Sequence, residues 1–400
     1  MREKKVNFKG LLNPGVLTNN KVQSIDSLVL NPSIVLGFFL SIMMFTSLWA
    51  ETRILYIGTG GKDAEGIYRV SFNQSTGKFS ELSLAAKINS PSFLARHPNN
   101  KFLYTVAKWE KSSGVIGYRI NDQGNLLEFT HQACPDGYGC HLSVHPSGNF
   151  LLSAQYGGGS VGFFPISEEG ILSAPVIFEH KGGSKVIPSR QNAPHPHWCG
   201  YSPCGNFALV PDLGMDQIVV YQINPERSAI SHHGSIQSSA GGGPRHMRFS
   251  KDDRFIYLLN ELSLTVEIFS WDKKSGNATR IDSIPTLSDQ EKSQETFNSA
   301  AEILVHPSGQ WVYTSNRGND SVSVLRIHEN GLLALIQKQP IRGAFPRNIN
   351  FSPDGKWLIA AGQHSNTVSA HYIDENTGKL TFQKGAVTNI PNPTCLLFQK

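Results

Sequence analysis

The segment SFLARHPNNKFLYTVAKW at residues 92–109 recurs along the chain, and this repeat constrains the fold more than any other feature. Its copies are CHLSVHPSGNFLLSAQYGG (140–158), HWCGYSPCGNFALVPDLG (197–214), RHMRFSKDDRFIYLLNEL (245–262), AEILVHPSGQWVYTSNRG (301–318) and RNINFSPDGKWLIAAGQH (347–364). Each holds a short alternating strand, a tight turn of the HPSG or SPDG type, and a second strand ending in small and polar residues. Two further strands follow, as in GVIGYRI (114–120) and NLLEFT (125–130), or SVSVLRI (321–327) and GLLALIQ (331–337). Four strands in each unit of 46 to 57 residues make a propeller blade.

The ends of the chain complete the ring. PTCLLF (393–398) supplies a first strand only, whereas ILYIGTG (54–60) begins at a second strand and is followed by GIYRVSF and KFSELSL. Joined, they make a seventh blade, so the expected fold is an all-β, seven-bladed β-propeller of four-stranded blades, closed by strands from both termini. Closure removes the exposed edges an open sheet would carry. The expected domain boundaries are 1–50 for an N-terminal segment and 51–400 for the propeller.

Residues 34–50, IVLGFFLSIMMFTSLWA, carry no charge and follow a basic stretch. They read as a signal peptide core with cleavage near Ala50, giving a periplasmic or secreted protein. An uncleaved membrane anchor and an over-extended start on a cytoplasmic protein are the alternatives, because 17 apolar residues lie at the short end of a membrane span. The first 50 residues hold five basic and two acidic side chains of the chain's net +5, which leaves the body near neutral. A neutral body without Lys/Arg runs gives no case for nucleic acid. Five cysteines (Cys134, Cys140, Cys199, Cys204, Cys395) leave at least one unpaired; Cys134–Cys140 and Cys199–Cys204 could pair, but three sit in apolar strand patterns as small hydrophobes.

The repeat also predicts where function sits. In a propeller the first strand lines the central channel and the second runs antiparallel to it, so the start of one and the end of the other share a face. First-strand starts are Ser92, Cys140, His197, Arg245, Ala301, Arg347 and, in the closing blade, Thr394. Sixteen residues after the first six come Lys108, Tyr156, Leu213, Glu261, Arg317 and Gln363. Three arginines, a histidine and a glutamate at one channel mouth exceed what packing requires, and they predict an anion site with one potential base. A salt-bridged channel mouth is the structural alternative.

Other signals carry less. GxSxG at Gly158, Ser160 and Gly162 falls at the start of a third strand, where no nucleophile elbow forms. His195 and His197 (PHPH) could ligate a metal, but acidic groups are scattered, so neither metal nor cofactor is expected. His97, His145, His306 and Asp354 belong to the repeat turns.

With the blades placed, SRQNAPHPH (189–197), PDLGMDQIVVY (211–221), GGGPRHMRF (241–249), LLNELSLTVEIF (258–269), YTSNRGNDSVSV (313–324) and DENTGKL (374–380) resemble the seven-bladed propeller lactonase family. Its best known members are bacterial 6-phosphogluconolactonases, and it is similar to the carboxymuconate lactonizing enzymes. The resemblance runs from about residue 53 to the C-terminus. It implies catalytic roles for His197, Arg245, Glu261 and Arg317, with His195, Arg190 and Glu302 near the site. The activity implied is hydrolysis of a sugar-acid lactone, most like 6-phosphogluconolactone in the pentose phosphate pathway. His197 is the expected base, oriented by Glu261, with Arg245 and Arg317 on the oxyanion and Arg347 on a phosphate or carboxylate. A muconate-type cycloisomerase and a non-catalytic exported propeller that binds a ligand remain as alternatives. The expected partner is a small anionic lactone, met by a monomer that touches membrane only through an uncleaved N-terminal segment.

Overall fold

The computed structural model describes residues 51–110, 112–224 and 229–399. The expected export segment at residues 34–50 lies outside the described residues. Seven four-stranded antiparallel sheets follow one another in the chain. Blade 1 combines Thr52–Thr59, Gly66–Asn73 and Lys78–Lys87 with Pro393–Phe398. Blades 2 to 7 then begin at the strands Asn89–Arg96, His141–Val144, Gly200–Tyr201, Pro244–Phe249, Ser299–Val305 and Pro346–Phe351. The expected ring closure is present: Leu55 pairs with Phe398, Ile57 with Leu396 and Gly58 with Cys395.

The core is divided among the blade interfaces. Among the described residues, seven buried apolar clusters are each shared by two neighbouring blades. At the closure, Leu55, Ile57, Leu396 and Phe398 of blade 1 pack on Trp357, Ile359 and Val368 of blade 7. Burial of alternate side chains on both faces of each sheet is what the mixed apolar pattern of the strands demands.

The recurring turns also join the blades. The His97 ring reaches the Gly148 carbonyl (3.0 Å), His145 reaches that of Gly205 (3.1 Å) and His306 that of Gly355 (2.9 Å), each in the next blade's turn. Those glycines have φ of 81°, 74° and 73°, the left-handed region the turn requires. Tyrosines do the same from the second strand: Tyr56, Tyr104, Tyr257 and Tyr313 donate to the carbonyls of Gly124, Gly170, Gly331 and Gly378. The repeat residues thus specify inter-blade docking as well as local turns.

Two irregularities shape the channel mouth. The outer strand of blade 3 is short, Val176–Glu179, and a strap over residues 180–199 leads to blade 4. This strap contains α1 (Pro188–Gln191), and Pro194 and Pro196 remove ladder donors, which shortens the first strand of blade 4 to Gly200–Tyr201. Asp212 anchors the strap: its carboxylate accepts from the backbone of His195 (2.7 Å), Gly214 and Met215 and bonds the His180 ring at 2.6 Å. Between blades 5 and 6 lies α2 (Asp289–Lys292), started by a Ser288/Glu291 capping box. Ser160 opens a third strand, Ser160–Pro165, and is buried. All five cysteines are free thiols. Among the described residues, no helix is long and apolar enough to cross a membrane.

Candidate active site

A cavity of about 510 Å³ opens at the channel mouth, and its lining includes both sequence rings: Cys140, His197 and Arg347 from one, Tyr156, Glu261 and Arg317 from the other. Arg190 enters from the strap, while Tyr138 and Phe297 enter from inter-blade loops.

Glu261 organises the floor. Its Oε1 accepts from Arg190 Nη2 at 2.7 Å and its Oε2 from Arg245 Nε at 2.8 Å. Arg317 Nη2 lies 3.1 Å from Oε2, and His197 Nε2 lies 3.7 Å away. Burial would raise the Glu261 pKa, but Arg317, Arg245, His197 and the Arg190 hydrogen bond together hold it well below the usual carboxylate range. A carboxylate shared by three guanidiniums is a weak base and a strong positioner. Four arginines against one carboxylate leave the pocket with surplus positive charge, the condition for binding an anion.

His197 is buried and neutral. Burial first, then Arg245, lower its pKa well below 6.5, against the opposing pull of Glu261. Its Nδ1 stands 3.8 Å from Cys140 Sγ. With both ring contacts long, the imidazole retains a lone pair for a proton from water. Burial lowers Arg317 to about 9, which leaves it charged at neutral pH, and its Nε has no hydrogen-bond partner among the described residues. The Cys140 thiol is pushed up to about 12 by burial, so it is no nucleophile.

Three expected site residues stand behind the cavity lining rather than on it. Arg245 is 2% exposed and sits beneath Glu261, its Nη1 spent on the Ala301 carbonyl. Glu302 follows Ala301 on its strand, so its side chain takes the other direction. It lies in the buried network with His246 Nδ1 (2.9 Å), Arg248 Nη2 (3.0 Å) and Asn348 Nδ2 (2.8 Å), off the cavity lining. His195 stands behind Tyr156, stacked at 4.5 Å, and bonds the Tyr156 carbonyl through Nδ1 at 2.8 Å. Tyr156 in turn meets His197 edge-on and accepts from Arg190 at 3.2 Å.

Sequence reasoning missed Tyr138 and Phe297, which lie in loops without periodic signal. Tyr156 and Cys140 share the repeat phases of Glu261 and His197, and that phase could have selected them.

Residues 54–398 match the family described as lactonase, 7-bladed beta-propeller. A 6-phosphogluconolactonase of Bacillus subtilis is 32% identical over 347 residues, covering 86% of this chain and 97% of its own. A solved structure described as a periplasmic gluconolactonase of Pseudomonas aeruginosa superposes with a TM-score of 0.81 at 26% identity, covering 87% of this chain and 99% of its own. A structure described as a putative 6-phosphogluconolactonase of Bacteroides fragilis gives 0.80 at 29% identity, covering 88% and 98%. The fold is that of a propeller enzyme acting on a small-molecule lactone. The chain belongs to the seven-bladed β-propeller lactonase family and is a lactone hydrolase, an enzyme that opens a cyclic carboxylic ester.

Proposed function

We propose that the substrate is a sugar-acid lactone bearing an anionic group, and that the reaction is 6-phosphogluconolactone to 6-phosphogluconate. The observation that carries this reading is the partition of the arginines: Glu261 engages Arg190, Arg245 and Arg317, while Arg347 lines the cavity with no hydrogen bond or ion pair among the described residues. A guanidinium so placed calls for an anion from outside the protein.

In the proposed mechanism, neutral His197 takes a proton from water as the water attacks the lactone carbonyl. Arg317 and Arg190, which face the cavity, stabilise the oxyanion, a role worth about 3 kcal/mol per donor. Arg245, expected in that role, instead holds Glu261 from below, and Glu261 fixes the guanidinium geometry. The tetrahedral intermediate then collapses, the ring C–O bond breaks, and the His197 imidazolium returns its proton to the departing ring oxygen, which becomes the hydroxyl of the open acid. The proposed steps use side chains alone. Relatives named for lactone hydrolysis support this over cycloisomerisation of a diacid or a non-catalytic propeller.

The uncharged segment at 34–50 and the periplasmic relative support export to the periplasm or beyond. Cell fractionation tests this, and all of the protein in the cytoplasm would contradict it. We further read the enzyme as a monomer with residues 51–400 as its working domain. The activity is tested by following lactone disappearance above the spontaneous rate, on phosphorylated and unphosphorylated gluconolactone. No acceleration on either, with folded protein, refutes the reading.

A further inference from the structure

Seven-fold geometry divides the cavity into two poles. Blades 4, 5 and 6 carry His197, Glu261 and Arg317, the reacting cluster. Across the ring stand blades 7, 1 and 2. Blade 7 contributes Arg347, whose guanidinium makes no hydrogen bond or ion pair among the described residues and whose pKa is lowered by burial and by Arg245, against the pull of Glu261. Blade 1 presents Gly60, Gly61 and Thr394 at its mouth, with the Asn392 side chain packed against the two glycines, and it adds no charged group there. Blade 2 carries Lys108 at the same repeat position as Glu261 and Arg317, outside the cavity lining and next to its wall residue Tyr138.

Lys108 is exposed, and its Nζ lies 4.5 Å from the centroid of the Tyr138 ring. Tyr138 lines the cavity, and its hydroxyl bonds the Ser90 carbonyl and Ser92 Oγ, each at 2.5 Å. The tyrosine is therefore fixed, and a cation–π contact holds the ammonium beside it. No carboxylate pairs with Lys108 or Arg347 among the described residues.

We propose that Arg347 and Lys108 flank a distal anion subsite that takes the phosphate monoester of the substrate, with Tyr138 as its wall. This rests on the lactonase reading and deepens it, because it orients the ligand: carbonyl at His197, phosphate at blades 7 and 2. Lys108 is then a specificity residue that touches only the phosphate end.

Calorimetric titration with the two open acids, gluconate and 6-phosphogluconate, tests the subsite without requiring turnover. The wild-type protein binds 6-phosphogluconate at least about tenfold more tightly than gluconate, a factor equivalent to about 1.4 kcal/mol. Lys108→Met narrows that ratio about tenfold, Lys108→Arg restores it, and added salt weakens the phosphorylated acid more. Equal affinity of the wild-type protein for both acids, or a Lys108→Met variant that weakens both in equal proportion, overturns the proposal. Selective binding without any lactone opening would instead overturn the catalytic reading and leave the subsite standing.

Discussion

Glu261→Gln separates a positioning carboxylate from a catalytic base. Glu261 is 4% exposed and faces Arg190, Arg245 and Arg317 at 2.7, 2.8 and 3.1 Å. The amide keeps the shape but removes the charge and turns one acceptor into a donor facing a guanidinium. Removing one partner of a buried ion pair costs roughly 3–5 kcal/mol, and screening by cavity water places the expected loss at about 3 kcal/mol. In a protein of this size each kcal/mol lowers Tm by about 2 °C, so a fall of about 6 °C is expected. Because the folded pKa of Glu261 is depressed, its contribution is fully present above the unfolded carboxylate value and is lost as pH falls towards the folded one. The Tm gap between wild type and variant is accordingly flat from about pH 5 to 8 and closes only in acid. Activity falls together with stability, by about 10²-fold in kcat/KM, because the oxyanion donors lose their anchor. Differential scanning calorimetry and a lactone assay on the same samples read both. A variant that melts like the wild type while losing kcat alone would refute the positioning role.

His197→Ala is expected to lower kcat by about 10²- to 10⁴-fold, measured above the spontaneous rate. In the wild type the acid limb of kcat/KM lies below pH 6.5, since the base form of His197 is lost only as pH falls through its depressed pKa; a limb above pH 7 would contradict this. Asp212→Ala leaves the strap N–H of His195, the turn N–H groups of Gly214 and Met215, and the His180 ring without their buried acceptor, and a loss of about 3 kcal/mol is expected in thermal melting, with a raised KM as Arg190 loses its support. A chain ending at Asn392 lacks the closing strand and the burial of Leu396 and Phe398, about 4 kcal/mol in apolar contact alone, and it opens blade 1. A soluble truncated protein with an unchanged cooperative melt would show that closure is dispensable.

The phase of the repeat made most of the site readable in advance. His197, Glu261, Arg317 and Arg347 stand on two ring positions, and the cavity joins them as that phase requires. The strap residue Arg190 came only through family resemblance, because α1 interrupts the repeat. Arg245 and Glu302 stand off the cavity lining for separate reasons. Arg245 has the right phase, yet Glu261 and the Ala301 carbonyl draw its guanidinium down. Glu302 is one residue past the ring position, and strand alternation turns it into the channel network.

The sequence by itself determined the number of blades, their boundaries, the closure by both termini and the two rings of side chains. Those properties follow from local strand and turn chemistry repeated at a fixed period, and symmetry extends a local rule around the whole ring. Only the tertiary structure decided which arginine lies under Glu261, which faces the cavity unpaired, and that Tyr138 and Phe297 line it. Such choices depend on competition among charged groups from different blades for the same few acceptors, and no local pattern along the chain records the outcome.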